Sequence, residues 1–341
     1  MFLLSAQRFL GAVLVALVVA VMTAWAALAI YYSDLSSPSL RHALALAFPG
    51  GTVLCFAALP RRGRTLLGFL IAFAVLLAWW LRIAPSNQRD WQPDVAVLPY
   101  ATVDGEHVTL HNIRNFEYRT ETNFAPHWYD ATFDVADIRS VDMIACYWMG
   151  DAIAHIFVSF GFANDRYVAV SIETRKERGE RYSTIAGFFK QYELVYVVGD
   201  ERDLIGLRTN VRQPHEEVYV YRAQVPVENV RRLFLDYVRR INELNERPCF
   251  YNTLTTNCTT NVLLHTRVNP GSAPLSWKVL LSGYAPQYAY ERGRLDTSMP
   301  FEELRRRSRV NERAQAAATS ADFSRRIREG LPGMHPGGAN P

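Results

Sequence analysis

The chain has 341 residues, 49% of them hydrophobic and 21% charged, with 37 Lys and Arg against 33 Asp and Glu for a formal net charge of +4. That length admits one sizeable domain with additions. Much of the excess charge sits in Arg61, Arg62 and Arg64 and in Arg305, Arg306, Arg307 and Arg309, which argues against nucleic acid and for lipid headgroups or solvent.

No charged residue interrupts 9–32, FLGAVLVALVVAVMTAWAALAIYY, and the run is long enough to span a bilayer. It exceeds the apolar core of a signal peptide and lacks a small-x-small cleavage site, so a retained anchor is expected. A second run, 42–59, is interrupted by Pro49, Gly50 and Gly51. There a marginal span competes with a kinked or re-entrant helix. A third, 66–81, ends in Trp79 and Trp80, placed as interfacial anchors. Arg61, Arg62 and Arg64 lie between the last two runs, whereas the 33–39 loop carries only Asp34. Positive residues favour the cytoplasmic side. The expected topology is a multi-pass anchor of three transmembrane helices over 1–83, with the N-terminus inside. The rest would form a periplasmic domain on a bacterial inner membrane.

Residues 84–97 read as a polar linker containing Pro85, Ser86, Asn87 and Pro93. Strand-type alternation follows at 107–113 and 138–146. The strongest β signal is a hairpin: 154–162, a turn at Asn164-Asp165, then 167–172. Further strands are expected at 194–198 and 218–221, with Asp200-Glu201-Arg202-Asp203 as a charged turn between strands. The clearest helix is 226–247, where Val227, Val230, Leu233, Phe234, Tyr237, Val238, Ile241 and Leu244 recur at three- and four-residue spacing. Pro248 stops it. An α+β domain is expected over 98–310. Residues 311–341, rich in Ala, Arg, Gly and Pro, read as a disordered tail.

Chemistry concentrates in 251–265, YNTLTTNCTTNVLLH. Thr255, Thr256 and Asn257 are N-cap residue types, so a helix is expected to begin at or just before Cys258. Unpaired N–H groups and the helix dipole there favour a thiolate. The competing readings are a small core residue or a disulfide with nearby Cys249. The best base is His155, on the first hairpin strand. A turn at Asn164-Asp165 puts Glu173 or Thr174 opposite it, which makes Glu173 a candidate to orient the ring. Glu173 reads equally as a strand-end charge pairing with Arg175 or Lys176. His265, two turns along the helix from Cys258, is too far to act as base. No Cys-x-x-Cys and no Cys/His cluster has zinc spacing, so no metal site is expected.

A strand histidine, then a strand acid, then Asn-Cys at a helix start resembles the circularly permuted papain-like thiol enzymes of the NlpC/P60 and lecithin–retinol acyltransferase kind. Four stretches, 112–119 (NIRNFEYR), 171–177 (SIETRKE), 192–208 (YELVYVVGDERDLIGLR) and 250–260 (FYNTLTTNCTT), are similar to the Lnb N-terminal periplasmic domain family. The resemblance covers roughly 91–310. It implies a thiol that carries an acyl group between lipids and an N-terminal cysteine amine, with Cys258 as nucleophile, His155 as base and Glu173 as third member. Membrane lipid or lipoprotein would be the partners, with no cofactor. Arg114, Tyr118, Arg119 and Asn257 are the candidate substrate-binding groups, although the arginines serve equally as structural ion-pair partners. Two other readings stand beside this one: a cysteine peptidase or amidase acting on cell-wall peptide, and a non-catalytic periplasmic binding module.

Overall fold

The computed structural model describes residues 2–334, which fall into two compact units. One is the chain up to Ser86 together with Tyr182–Tyr192; the other is Asn87–Arg181 together with the chain from Glu193 onward.

The first unit is built on three helices, α1 (Phe2–Tyr31), α2 (Pro38–Ala58) and α3 (Arg62–Arg82). All three are long and apolar enough to cross a membrane. At 21 residues, α2 and α3 each extend about 32 Å, the thickness of a bilayer's hydrocarbon core. The interrupted run at 42–59 thus forms one continuous helix, with Pro49 inside it. Aromatic contacts join the helices: Trp25 meets Trp80 edge-on at 5.2 Å between ring centroids, and Tyr31 stacks on His42 at 5.3 Å.

The second unit is α+β. Its strands are β1 (Tyr100–Asp104), β2 (His107–Arg114), β3 (Glu117–Tyr118), β4 (Phe124–Ala125), β5 (Trp128–Asp134), β6 (Ile138–Tyr147), β7 (Ala154–Phe162), β8 (Tyr167–Arg175), β9 (Glu193–Gly199) and β10 (Glu217–Arg222). Eight of them form one sheet in the order β1-β2-β9-β8-β7-β6-β10, with β5 also paired to β2. Every pairing is antiparallel except β2 with β9. The β7–β8 hairpin turns where the sequence predicts, with Asn164 and Asp165 at positive φ.

Helices follow in the order α4 (Glu201–Gly206), α5 (Val227–Glu246), α6 (Cys258–His265), α7 (Trp277–Leu280), α8 (Ala285–Glu291), α9 (Phe301–Arg307), α10 (Asn311–Ala316) and α11 (Phe323–Arg328). Of the eight apolar side chains that define the periodicity of α5, seven are buried and Val227 is half-buried. Each such burial contributes roughly 1.5–3 kcal/mol. Phe234 and Tyr237 of α5 meet Phe160 edge-on, at 5.2 and 5.6 Å. On another layer, Phe157, Ala169, Val195 and Val197 form one core with Leu204 and Ile205 of α4, Ala314 of α10 and Phe323 and Ile327 of α11.

Three sequence expectations are corrected here. Residues 311–334 are not a disordered tail. Val310, Ala314, Ala317, Phe323, Ile327 and Leu331 are buried, and Arg328 binds Asp142 and Glu201, both fully buried. The apolar positions are too sparse, and the two helices too short, for periodicity to announce them; 335–341 lie outside the described residues. Nor are 84–97 a free linker: Trp91 and Val95 are buried, and the Arg175 guanidinium donates to Val95 O, Ala96 O and Asn87 Oδ1. Finally, Asp200-Glu201-Arg202-Asp203 is a helix start rather than a turn. The Asp200 side chain caps Arg202 N, and Glu201 and Asp203 point inward to Arg328 and Arg114.

Candidate active site

Cys258 is the first residue of α6, and Asn257 is its N-cap. The cap is reciprocal: Thr260 N donates to Asn257 Oδ1 at 2.9 Å, and Asn257 N donates to Thr260 Oγ1 at 2.9 Å. The loop before it is held in place, since Asn252 Oδ1 accepts from both Leu254 N and Thr255 N at 3.0 Å. These local bonds direct the thiol inward, where Cys258 keeps 9% of its surface exposed. The first N–H groups of the helix, those of Cys258 and Thr259, have no intrahelical acceptor.

His155 is the second residue of β7. The β7–β8 ladder runs from Gly161↔Tyr167 to Val158↔Val170 and stops there. Two residues further along β7, beyond the end of that ladder, the Ile156 backbone helps to lower the pKa of the Cys258 thiol. The same register, extended, sets His155 opposite Glu173, as the hairpin reading expects.

The ring of His155 is held on one side and free on the other. Its Nε2 lies 2.7 Å from Ser171 Oγ and 3.1 Å from Glu173 Oε1. Ser171 donates its hydroxyl to Glu173 at 2.6 Å, so its oxygen is left to accept from Nε2–H. That selects the tautomer with the proton on Nε2 and leaves Nδ1 available to the thiol, the ring and Cys258 each shifting the other's titration. Glu173 is anchored in turn by Arg208 Nη2 at 2.9 Å. Arg208 is buried in a single π-helical turn, Leu207–Val211, that follows α4, and its guanidinium lies 5.2 Å from the Phe157 ring. Such insertions re-aim a side chain out of the ordinary helical path.

Charge within the site is coupled. Burial by itself would lower the pKa of His155, but the Glu173 carboxylate and Cys258 raise it to about 9. Burial pushes the Cys258 thiol up, yet His155, the Ile156 N–H and Thr259 together bring it below its ordinary value. Glu173 is held well below the usual carboxylate range, because His155, Arg208 and Ser171 outweigh its burial. The set favours a thiolate beside an imidazolium, backed by a carboxylate.

The remaining sequence candidates are placed differently. Arg114 is buried and makes a forked pair with Asp203, at 3.1 and 2.8 Å. Tyr118 donates to the same carboxylate at 3.1 Å. Their expected substrate-binding role gives way to a structural one, because Asp203 is buried and needs both. Arg119 is exposed, and Asn257 is occupied as the cap of α6. The alternative of a Cys249–Cys258 bridge is absent: both are free thiols, and Cys249 Sγ accepts from Arg240 at 3.2 Å. His265, at the far end of α6, is buried between Asp236 and Tyr196, at 2.7 Å from each. Burial outweighs Asp236 and keeps its pKa below the ordinary value, so it anchors the helix as a neutral ring. No group of three or more His, Cys, Asp or Glu among the described residues is arranged to hold a metal ion.

Ser171, Arg208 and the Ile156 N–H escape the sequence reading. Ser171 shares the strand parity of Glu173, which is a usable signal. Nothing in local spacing points to Arg208, since only the π turn aims it at β8.

Residues 124–283 match the family described as the Lnb N-terminal periplasmic domain. The match bears out the resemblance read from the sequence. It takes in His155, Ser171, Glu173, Arg208 and Cys258 and leaves out Arg114, Tyr118 and Arg119. Neither the curated proteins nor the solved structures return a match.

Proposed function

We propose that this chain is a membrane-tethered thiol acyltransferase, acting on lipid or lipoprotein at the periplasmic face of a bacterial inner membrane. Its second unit would be a circularly permuted papain-like domain, in which His155 and Glu173 precede Cys258 in the chain. The observation that carries the reading is His155, oriented by Ser171 and Glu173 and acting on a thiol at a helix start. A structural core cysteine has no use for a thiol of lowered pKa backed by an oriented histidine.

In this reading the Cys258 thiolate attacks an ester carbonyl, and the helix-start N–H groups receive the oxyanion. His155 gives its Nδ1 proton to the departing alcohol, leaving a thioester. An amine then attacks the thioester, His155 takes its proton, and the amide leaves as the thiol is restored. Glu173 and Ser171 keep the ring oriented throughout. Exposed apolar side chains in the same unit, Trp148, Met149, Leu275, Trp277 and Leu280, suit an acyl substrate better than a cell-wall peptide. The Arg61–Arg64 stretch between α2 and α3 supports the orientation, with the second unit on the opposite side of the membrane from that loop.

The test is the pH-dependent rate of iodoacetamide labelling for wild type, Cys258→Ala and His155→Ala. It is followed by mass spectrometry of the protein after incubation with a diacyl phospholipid. Fast labelling near neutral pH, lost in the first variant and slowed in the second, together with an acyl adduct on Cys258, supports transfer. Labelling no faster than that of an ordinary thiol contradicts the proposal. Free fatty acid without an amide product moves it to a hydrolase.

A further inference from the structure

The segment Tyr182–Tyr192 lies in sequence between β8 and β9, yet it packs with the three apolar helices as part of the first unit. Phe189 is buried there, stacked on Tyr32 at 5.9 Å and set 6.2 Å from Trp25 between ring centroids. The ammonium of Lys190 donates to Trp80 O, Leu81 O and Ile83 O, the last carbonyls of α3, at 3.1, 3.2 and 3.0 Å. A cation at a helix C-terminus satisfies both the unpaired carbonyls and the dipole. Within the segment, Ser183 N donates to Tyr192 OH at 2.9 Å, and Ala186–Phe188 forms a 3-10 turn.

This anchoring fixes the level of the segment along the helices. Phe189 thus lies beside the last turns of α1, between Trp25, six residues before the helix end, and Tyr32, one residue past it. Trp25 also touches Trp80, two residues before the end of α3, so the two helices end within about 6 Å of each other along their axes. Aromatic residues near the ends of spanning helices mark the headgroup layer. At that level Tyr182, Ile185 and Phe188 stand 50%, 53% and 41% exposed. Large apolar side chains held at that depth by a neighbouring buried Phe meet acyl chains.

We propose that Tyr182–Tyr192 is a membrane-surface element whose Tyr182, Ile185 and Phe188 side chains insert into the headgroup–acyl boundary of the bilayer on the side where α1 and α3 end. The partner is the lipid surface itself. The proposal rests on the three helices crossing a membrane and is independent of the thiol chemistry.

The experiment places a nitroxide label at Ile185→Cys or Phe188→Cys in the full chain. The background carries Cys55→Ser, Cys249→Ser and Cys258→Ala, and the remaining Cys146 is fully buried. Reference labels sit at Val75→Cys on the exposed face of α3 and Val103→Cys on exposed β1. In phosphatidylcholine vesicles without other protein, collision with oxygen is compared with collision with a water-soluble nickel chelate. The oxygen-to-nickel ratio at 185 and 188 is expected to lie near that at 75 and well above that at 103. A ratio at both positions equal to that at 103, with 75 still lipid-like, overturns the proposal and assigns the patch to water or a protein partner. A water-like ratio at 75 as well overturns it together with the membrane reading of the helices.

Discussion

Replacing Glu173 by Gln keeps the shape of the site and removes one charge. Glu173 Oε1 lies 3.1 Å from His155 Nε2. A full charge pair at that distance is worth about 5 kcal/mol at an effective dielectric of 20. Arg208 lies 2.9 Å from the same oxygen, and the carboxylate is only half-buried. The share acting on His155 is then reduced to about 1.5–3 kcal/mol, equivalent to about one to two pH units. His155 stands at about 9 in the intact site, and Glu173→Gln is expected to lower it by that amount. A less basic imidazole holds its charge less well beside the thiolate, so the Cys258 thiol rises correspondingly. The assay is the second-order rate of iodoacetamide labelling against pH in a Cys249→Ser background. At a pH below both midpoints the variant should label roughly ten- to hundredfold more slowly. The two curves should converge once the pH passes the ordinary thiol range. Because the folded pKa of His155 is above its ordinary 6.5, the pair contributes its stability in full below about 6.5. That contribution is lost as pH rises through about 9, and in the variant the decline should be smaller and come about one to two units lower. A labelling midpoint unmoved by Glu173→Gln would refute the claim that the carboxylate holds the histidine charged.

Three further perturbations separate chemistry from architecture. Asn257→Ala removes the reciprocal cap of α6; it should cost about 1 kcal/mol in a denaturant titration and slow Cys258 labelling as the first turn frays. An unchanged unfolding midpoint would count against the cap as the device that positions the thiol. Asp203→Asn leaves the buried Arg114 without its carboxylate and should cost about 3–5 kcal/mol, with the labelling midpoint unmoved. A fully stable variant would return Arg114 to the list of ligand-binding candidates. Arg328→Met strips the buried Glu201 of its partner and should destabilise the second unit by a similar 3–5 kcal/mol, read by thermal unfolding. If thermal stability stayed the same, the C-terminal segment would not be the structural element described above.

Sequence patterns that are local were legible without the structure. Three apolar runs, the Asn164-Asp165 hairpin, the amphipathic 226–247 helix and the Asn257 cap each depend on residues a few positions apart, where periodicity and turn chemistry act directly. Cys258, His155 and Glu173 followed from that same local logic, because a hairpin register converts a turn position into a cross-strand partner. Only the tertiary structure decided the remainder. It ended the β7–β8 ladder at Val158 and set Ser171 against the ring of His155. It brought Arg208 from a π turn to Glu173, gave Arg114 and Tyr118 to Asp203, and drew Arg328 from an apparent tail across to Asp142 and Glu201. The physical reason is common to all of these. A buried charge takes whatever opposite charge the fold brings within about 3 Å, and that choice is made across more than thirty residues of chain, beyond the reach of any spacing rule.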